Sequence, residues 1–321
     1  MNFWNKLKKP FFALAPMEDV TDVVFREIVT KAGKPDIFFT EFLNVEAFGT
    51  KGEKKVIHRL KFKKNEHPIV AQVWGLKPEK YKTGIKIIKE LGFDGVDINM
   101  ACPQKKIIKH GACGGLIKNQ ELAEEIILAS KEACGKDFPL SIKTRLGFNK
   151  PQVDEWISFL LKFDLAALTI HGRTVKEMSD VPANWEEIGK AVQLRNKMKS
   201  KTLIIGNGDI KSIQQGEEMC KRYSIDGVMI GRGIFNNLFV FKEKNFSELT
   251  PESKAKWALK HLDLYEKTWD KTGEKIFSAM KKFLRIYIMG YDGASDVRQK
   301  LMDCRNYDET RKILNSIIDP H

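Results

Sequence analysis

Leu203-Ile204-Ile205-Gly206-Asn207-Gly208-Asp209 decides the reading of this chain, because consecutive branched apolar residues run into a glycine-rich polar turn without alternation. A strand with one wet face alternates apolar and polar residues, whereas a parallel strand covered on both faces does not. The same pattern recurs outward from this stretch. Short apolar runs at Phe12–Ala15, Ile37–Thr40, Ile69–Gln72, Gly95–Asn99, Leu140–Thr144, Ala167–His171 and Gly227–Ile230 are each followed by turn chemistry and a longer segment of helical period. Pro78–Leu91 places Ile85, Ile88 and Leu91 on one side, and Glu121–Ala133 does so with Leu122, Ile126 and Ala129. With the opening run that makes eight strand–helix units, which predict a (β/α)8 TIM barrel, a fold of ~250 residues. A doubly wound open sheet is the alternative with the same alternation. From Glu252 to Ser316 no strand pattern remains, and helical period breaks only near Gly273 and at Gly290-Tyr291-Asp292-Gly293-Ala294. The expected architecture is α/β: a TIM barrel over 1–245, then a small all-helical domain over 246–321.

The formal net charge of +13 points to a polyanionic partner. Its location says more than its size. Seven lysines or arginines against one acid lie between Lys51 and Lys64, whereas from Phe246 onward 14 basic residues face 12 acidic ones. The polyanion-facing surface is therefore expected to include the large domain. No apolar run approaches the ~20 residues of a membrane span, and Met1-Asn2-Phe3-Trp4-Asn5-Lys6-Leu7-Lys8-Lys9-Pro10 lacks a signal-peptide core. A cytoplasmic protein that meets no membrane is expected. Five cysteines with neither a CxxC dithiol nor paired zinc spacing fit a reducing compartment and predict no metal site. The expected oligomeric state is a monomer.

In parallel barrels the chemistry gathers at the carboxyl ends of the strands. At one such end, Val96-Asp97-Ile98-Asn99-Met100-Ala101-Cys102-Pro103-Gln104-Lys105-Lys106 runs from an apolar strand into a thiol, a proline and a basic pair. A thiol of pKa ~8.5 is mostly protonated at neutral pH and can donate its proton without tuning. The competing role is a buried structural cysteine, against which weigh the strand-breaking Pro103 and the polar Lys105, Lys106 and Lys109. Other strand ends carry Pro16-Met17, Gln72, Asn99, Lys143, Arg145, His171 and Arg173. The seventh and eighth carry Asn207-Gly208-Asp209 and Gly231-Arg232-Gly233, where glycines let backbone N–H groups approach a phosphate. Lys143 lies mid-run in Ser141-Ile142-Lys143-Thr144-Arg145, and a cation in a barrel interior needs a partner. An anionic ligand, Asp97, or an outward snorkel would each serve. His171 and Gln72 likewise divide between ligand contact and satisfied interior groups.

Taken in order, these motifs resemble the tRNA-dihydrouridine synthases, flavin enzymes that reduce uridine in tRNA. Ala15-Pro16-Met17-Glu18-Asp19-Val20-Thr21-Asp22 is similar to the family's APM-x-x-V-T-D element, and Asn99-Met100-Ala101-Cys102-Pro103-Gln104-Lys105-Lys106 to its N-x-x-CP-x-KK signature. Lys143-Thr144-Arg145-Leu146-Gly147, His171-Gly172-Arg173-Thr174, Gly206-Asn207-Gly208-Asp209 and Gly231-Arg232-Gly233 complete the set, and the helical tail resembles the family's tRNA-holding domain. The resemblance implies FMN held by Pro16, Met17, Gln72, Lys143, His171, Asn207, Gly208, Asp209, Gly231 and Arg232, with NADPH as reductant. It implies hydride transfer to uracil C6 and protonation of C5 by Cys102. Asn99 and Arg173 are then candidates to contact the target base or its phosphate, and Lys105 and Lys106 to form a basic rim for tRNA. DNA is not an expected partner.

Two positions depart from the family pattern. Cys113 in Gly111-Ala112-Cys113-Gly114-Gly115-Leu116 stands where a small residue, usually glycine, is expected, which makes it a packing residue or a second candidate donor. Val175-Lys176-Glu177-Met178-Ser179 lacks the aromatic expected after Thr174. The competing functions are an FMN-barrel oxidoreductase acting on a small molecule, such as a dihydropyrimidine or an enone, and a non-catalytic tRNA-binding protein.

Overall fold

Short β-rich runs, mostly apolar and buried on both faces, form β1 (Phe11–Leu14), β2 (Phe38–Phe39), β3 (Leu43–Asn44), β4 (Ile69–Trp74), β5 (Gly95–Met100), β6 (Leu140–Arg145), β7 (Ala167–His171), β8 (Leu203–Asn207) and β9 (Gly227–Ile230), with inward polar residues at Asp97, Asn99, Ser141 and Lys143. The structure is a computed structural model that describes residues 2–242 and 244–319, so the first and last residues of the two expected domains lie outside it. Every strand pairing is parallel, in the order β1-β9-β8-β7-β6-β5-β4-β2, and a bridge from Ala13 to Ile37 closes the ring. Closure selects the TIM barrel over the open sheet.

The second strand differs from the expected run Ile37–Thr40. It is split into β2 and β3, both paired with β4, with Thr40, Glu41 and Phe42 between them. Thr40 replaces the missing ladder contacts: its N–H donates to Val70 O at 3.1 Å and its hydroxyl accepts from Gln72 N at 3.0 Å. The break frees the Glu41 carboxylate to meet Lys275 of the tail at 3.1 Å, which an unbroken strand would not.

Side chains alternate between the barrel interior and the surrounding helices. Phe11, Ala13, Phe39, Val70, Ala167, Ile205 and Met229 fill the interior, and Trp4, 2% exposed, plugs its amino end against Phe11. The outward set joins one continuous core with the helices, and that core also takes in Leu262, Phe283, Leu284 and Leu314 of the tail. The tail comprises helices Pro251–Trp269, Phe277–Tyr287, Ala294–Asp303 and Tyr307–Ile318. Pro251 at the first helical position and the Thr250 hydroxyl, which accepts from Ser253 N, start it. Gly273 (φ +64°) and Gly290 (φ +75°) supply the left-handed turns at its breaks. Phe283 stacks on Phe25 of the barrel's first helix at 5.2 Å, so this tail helix lies across the barrel's carboxyl end. Among the described residues no helix is long and apolar enough to cross a membrane.

Candidate active site

A cavity of about 870 Å³ opens at the carboxyl ends of the strands. Its wall includes Pro16, Met17, Gln72, Asn99, Cys102, Lys143, His171, Arg173, Asn207, Gly208, Asp209, Gly231 and Arg232, thirteen residues drawn from seven strand ends. Lys105 and Lys106 are not among them. They lie on the exposed face of a short helix, Lys105–Lys109, just beyond Cys102.

A buried polar chain fixes the loop that carries the thiol. Ser141 donates to Asp97 at 2.7 Å, Gln72 Nε2 donates to the other Asp97 oxygen at 2.7 Å, and Asn99 Nδ2 donates to Gln72 Oε1 at 3.0 Å. Asn99 Oδ1 then accepts from the N–H groups of Ala101 and Cys102, both at 3.0 Å. The Asn99 amide thus builds the turn at Cys102, with one N–H left for anything in the cavity. Arg145 ties the same loop down from the next strand, donating to Ala101 O at 2.7 Å, Thr174 O at 2.9 Å and Met178 O at 2.7 Å. Cys102 itself is half-buried, and burial pushes its thiol above the usual range, so it stays protonated at neutral pH. Cys113 is fully buried at φ +52°, a conformation that explains why glycine suits the position. It is absent from the cavity wall, and burial raises its thiol well above the usual range.

The inward period of β6 settles where Lys143 goes. Ile142 belongs to the outer core, so Lys143 points into the barrel, across the ladder from Asn99 and Thr169, and does not snorkel outward. It is 9% exposed and has no carboxylate within 4.0 Å and no hydrogen bond among the described residues. Asp97 is committed to Ser141 and Gln72 and acts on it only at longer range. Burial, then Arg145, lowers Lys143 to about 8. Burial raises Asp97 to about 6 against the pull of Ser141, Gln72 and Lys143.

The far wall is a cationic bracket. Burial and then Lys143, Arg145, Arg173 and Arg232 hold His171 well below the usual imidazole range, so it is neutral and Nε2 accepts from Arg173 Nη1 at 3.1 Å. Arg173 Nη2 spans both Asp209 oxygens at 2.7 and 2.6 Å, and Asp209 also accepts from Ala183 N at 2.8 Å. Burial opposes ionisation of Asp209, but Arg173 and the Ala183 N–H outweigh it and lower its pKa. Arg173, buried and donating also to Val181 O, is a brace for His171 and the Asp209 turn. Among the described residues the N–H groups of Gly208, Asp209, Gly231 and Arg232 have no protein acceptor, and a Cβ at Gly208, whose φ is +133°, would meet the Ala183 Cβ at 2.6 Å. Two glycine turns with free N–H groups and the exposed Arg232 beside them have the chemistry that suits an anion.

Several wall residues escaped the sequence reading. Lys282, Arg285, Ile286 and Met289 come from the tail, with Phe42 from the break in the second strand. Lys282, Arg285 and Ile286 recur at three- and four-residue spacing on the helix Phe277–Tyr287, the one sequence signal that they share a face, and Met289 lies just past its end.

Over residues 13–319 the sequence matches the family model described as dihydrouridine synthase (Dus). It is 45% identical over 319 residues to the "Probable tRNA-dihydrouridine synthase" of Staphylococcus aureus (strain Mu50), covering 98% of this chain and 95% of that protein. It is 44% identical over 318 residues to the "Probable tRNA-dihydrouridine synthase 2" of Bacillus subtilis (strain 168), covering 98% and 96%. Among solved structures, histamine dehydrogenase from Rhizobium sp. 4-9 superposes with a TM-score of 0.58 at 14% identity over 79% of this chain, which spans about half (48%) of that one. Morphinone reductase superposes with a TM-score of 0.52 at 14% identity over 74% of this chain and 86% of its own. Identities this low establish the shared barrel alone.

Proposed function

The chain belongs to the dihydrouridine synthase family, and from that premise we propose that it reduces the C5–C6 double bond of uridine in tRNA, with FMN bound in the barrel mouth, NADPH as the source of electrons and Cys102 as the proton donor. The observation that carries this reading is one cavity holding both a half-buried, protonated thiol and a buried lysine with no anion of its own.

The residues present fit FMN. The unfilled N–H groups at Gly208, Asp209, Gly231 and Arg232, with the Arg232 guanidinium, suit its phosphate. Ala15, Pro16, Met17 and Met229 offer an apolar bed for a planar ring. Lys143, Gln72 and neutral His171 offer donors to a polar ring edge, and Asn207, whose amide donates to Met229 O at 2.8 Å, shapes the turn. When bound, the flavin supplies the hydride that uracil C6 receives.

The remaining work falls to the chain. Lys143 neutralises negative charge on the bound ring, since the other buried cations of the wall are spent, Arg145 on backbone carbonyls and Arg173 on Asp209. Cys102 gives its Sγ proton to C5 as C6 gains the hydride, which completes the addition of two hydrogens across the double bond. Its raised pKa favours the thiol over the thiolate, which suits its return to the donor form for the next cycle. The uridine must leave its stack to enter, so it is held by groups at the rim. Lys282 and Arg285 are suited to its phosphate, while Lys105, Lys106 and the exposed Lys51, Lys54 and Lys55 suit the surrounding backbone. The spare Asn99 N–H faces the base, and Arg173 acts through His171 and Asp209. In this reading residues 1–245 form the catalytic domain and 246–321 the part that holds tRNA.

The test is anaerobic reduction of the flavin-loaded protein with NADPH, followed by unmodified tRNA, with flavin reoxidation and dihydrouridine both measured. Wild type should reoxidise promptly with dihydrouridine formed. Cys102→Ala should be slowed by about 10²–10⁴-fold. Unimpaired turnover in that variant would move the donor role elsewhere, and no reoxidation by tRNA would favour a small-molecule flavin reductase.

A further inference from the structure

A second cavity, about 190 Å³, lies beside the first and shares Phe42 with it. Its other walls are Glu18, Asn44, Val56, Arg59, Trp74, Gln104 and Ile107. All come from the carboxyl ends of β1, β3, β4 and β5 or from the basic segment, and Gln104 is two residues from Cys102. We infer that this cavity receives the base of a nucleotide adjacent to the target uridine, an inference that rests on the tRNA-reducing reading above.

Three features select that occupant. Its volume lies below the ~300–1,000 Å³ of pockets for drug-sized ligands, so it suits one planar ring and not a whole nucleotide. Its aromatic residues, Phe42 and the half-buried Trp74, offer stacking faces, the usual means of holding a splayed base. Its polar groups have unspent capacity: Asn44 Oδ1 accepts from Glu46 N at 2.9 Å, but its Nδ2, the whole Gln104 amide and Trp74 Nε1 find no protein partner among the described residues. A carboxylate would repel phosphate, yet Glu18 is neutralised by Arg59, which donates to it from Nε at 3.1 Å. Lys54 and Lys55, exposed on the turn that carries Val56, are placed for the backbone of the same nucleotide.

The experiment is a cycle of protein and RNA deletions on the flavin-loaded enzyme. Intact tRNA is compared with two transcripts, abasic at the nucleotide before or after the target uridine, in wild type, Trp74→Leu and Gln104→Ala. Removing the captured base should cost wild type about tenfold in kcat/KM, the range expected for one stacked base. Trp74→Leu should lose about tenfold on intact tRNA and less than about twofold more on that abasic transcript. Gln104→Ala, an exposed change that spares folding, should show the same coupling at smaller size. Losses that multiply independently for both flanks, or abasic transcripts that react as well as intact tRNA, would overturn the inference. A wild type that turns over no transcript would instead defeat the reductase reading, and the same cycle read on tRNA dissociation constants would still decide the occupancy of this cavity.

Discussion

Lys143 and Lys275 are both buried, but the protein treats them in opposite ways. Lys275, with 6% of its side chain exposed, reaches from the tail to Asp22 and Glu41 at 3.1 Å each, and these acids outweigh burial and raise its pKa. Lys143 has no carboxylate within 4.0 Å among the described residues, and burial lowers it to about 8. At the junction of tail and barrel the charge is answered from within the chain. At the barrel mouth it is left open, a cost tolerated where a bound anion answers it. The contrast separates a group that serves folding from one that serves a ligand.

The sharpest way to break that contrast is Lys275→Met. It leaves Asp22 and Glu41 buried together without a cation, and loss of one partner from a buried pair costs about 3–5 kcal/mol. Urea unfolding should register that loss, and adding Glu41→Gln should recover part of it. A loss below about 1 kcal/mol would show that the Lys275 cluster does not hold the tail and that apolar packing and the Lys61–Glu274 pair do.

Lys143→Met should do the reverse. Flavin-free stability should stay level or rise, because an uncompensated buried charge gives way to an apolar side chain of similar length. Flavin affinity should fall by about 1.5–3 kcal/mol, the worth of a hydrogen bond to a charged group. Flavin titration of the refolded protein checks the second statement and its urea midpoint the first. Lost stability with unchanged flavin affinity would make Lys143 a structural residue.

The same contrast shows what a sequence can disclose. Lys143 was legible as a candidate because it lies toward the end of a strand at the barrel mouth, but the sequence left an anionic ligand, Asp97 and an outward snorkel open, and only the pairing of β6 with β5 and β7 turns it inward. Lys275 was not, since its partners Asp22 and Glu41 are more than two hundred residues away, and Glu41 is freed only by the break between β2 and β3. That break also hid Phe42, and the fold of the tail over the mouth hid Lys282 and Arg285, which read equally well as a solvated face. Asn99 and Arg173, expected to contact the target base or its phosphate, both line the cavity, but their hydrogen bonds go largely to the Cys102 turn and to Asp209, a commitment set by neighbouring strands and loops that residue type does not reveal. Strand ends are written in local sequence; the partners that consume them are written in topology.

Alkaline pH sharpens the comparison with a smaller effect. Lys143 has its folded pKa lowered to about 8 from 10.5, so between those values the unfolded chain holds a proton that the folded one has released. Stability therefore gains from this group as pH rises through that window, by at most about 1.4 kcal/mol for each pH unit. Below pH 8 both states carry the charge and the burial cost is constant. Lys275 has its folded pKa raised, so its contribution is complete below 10.5 and is lost only as pH climbs through the higher folded value. Between pH 8 and 9, then, the advantage of flavin-free Lys143→Met over wild type should shrink. The deficit of the Lys275→Met, Glu41→Gln double variant, which lacks both the lysine and the carboxylate raised to about 7 by burial, should stay flat. Unfolding curves at the two pH values decide it: an advantage for Lys143→Met that does not shrink would mean that the folded ammonium keeps its proton up to the same pH as the unfolded one, as a solvated lysine does, and that would remove the reason for assigning it to an anionic ligand.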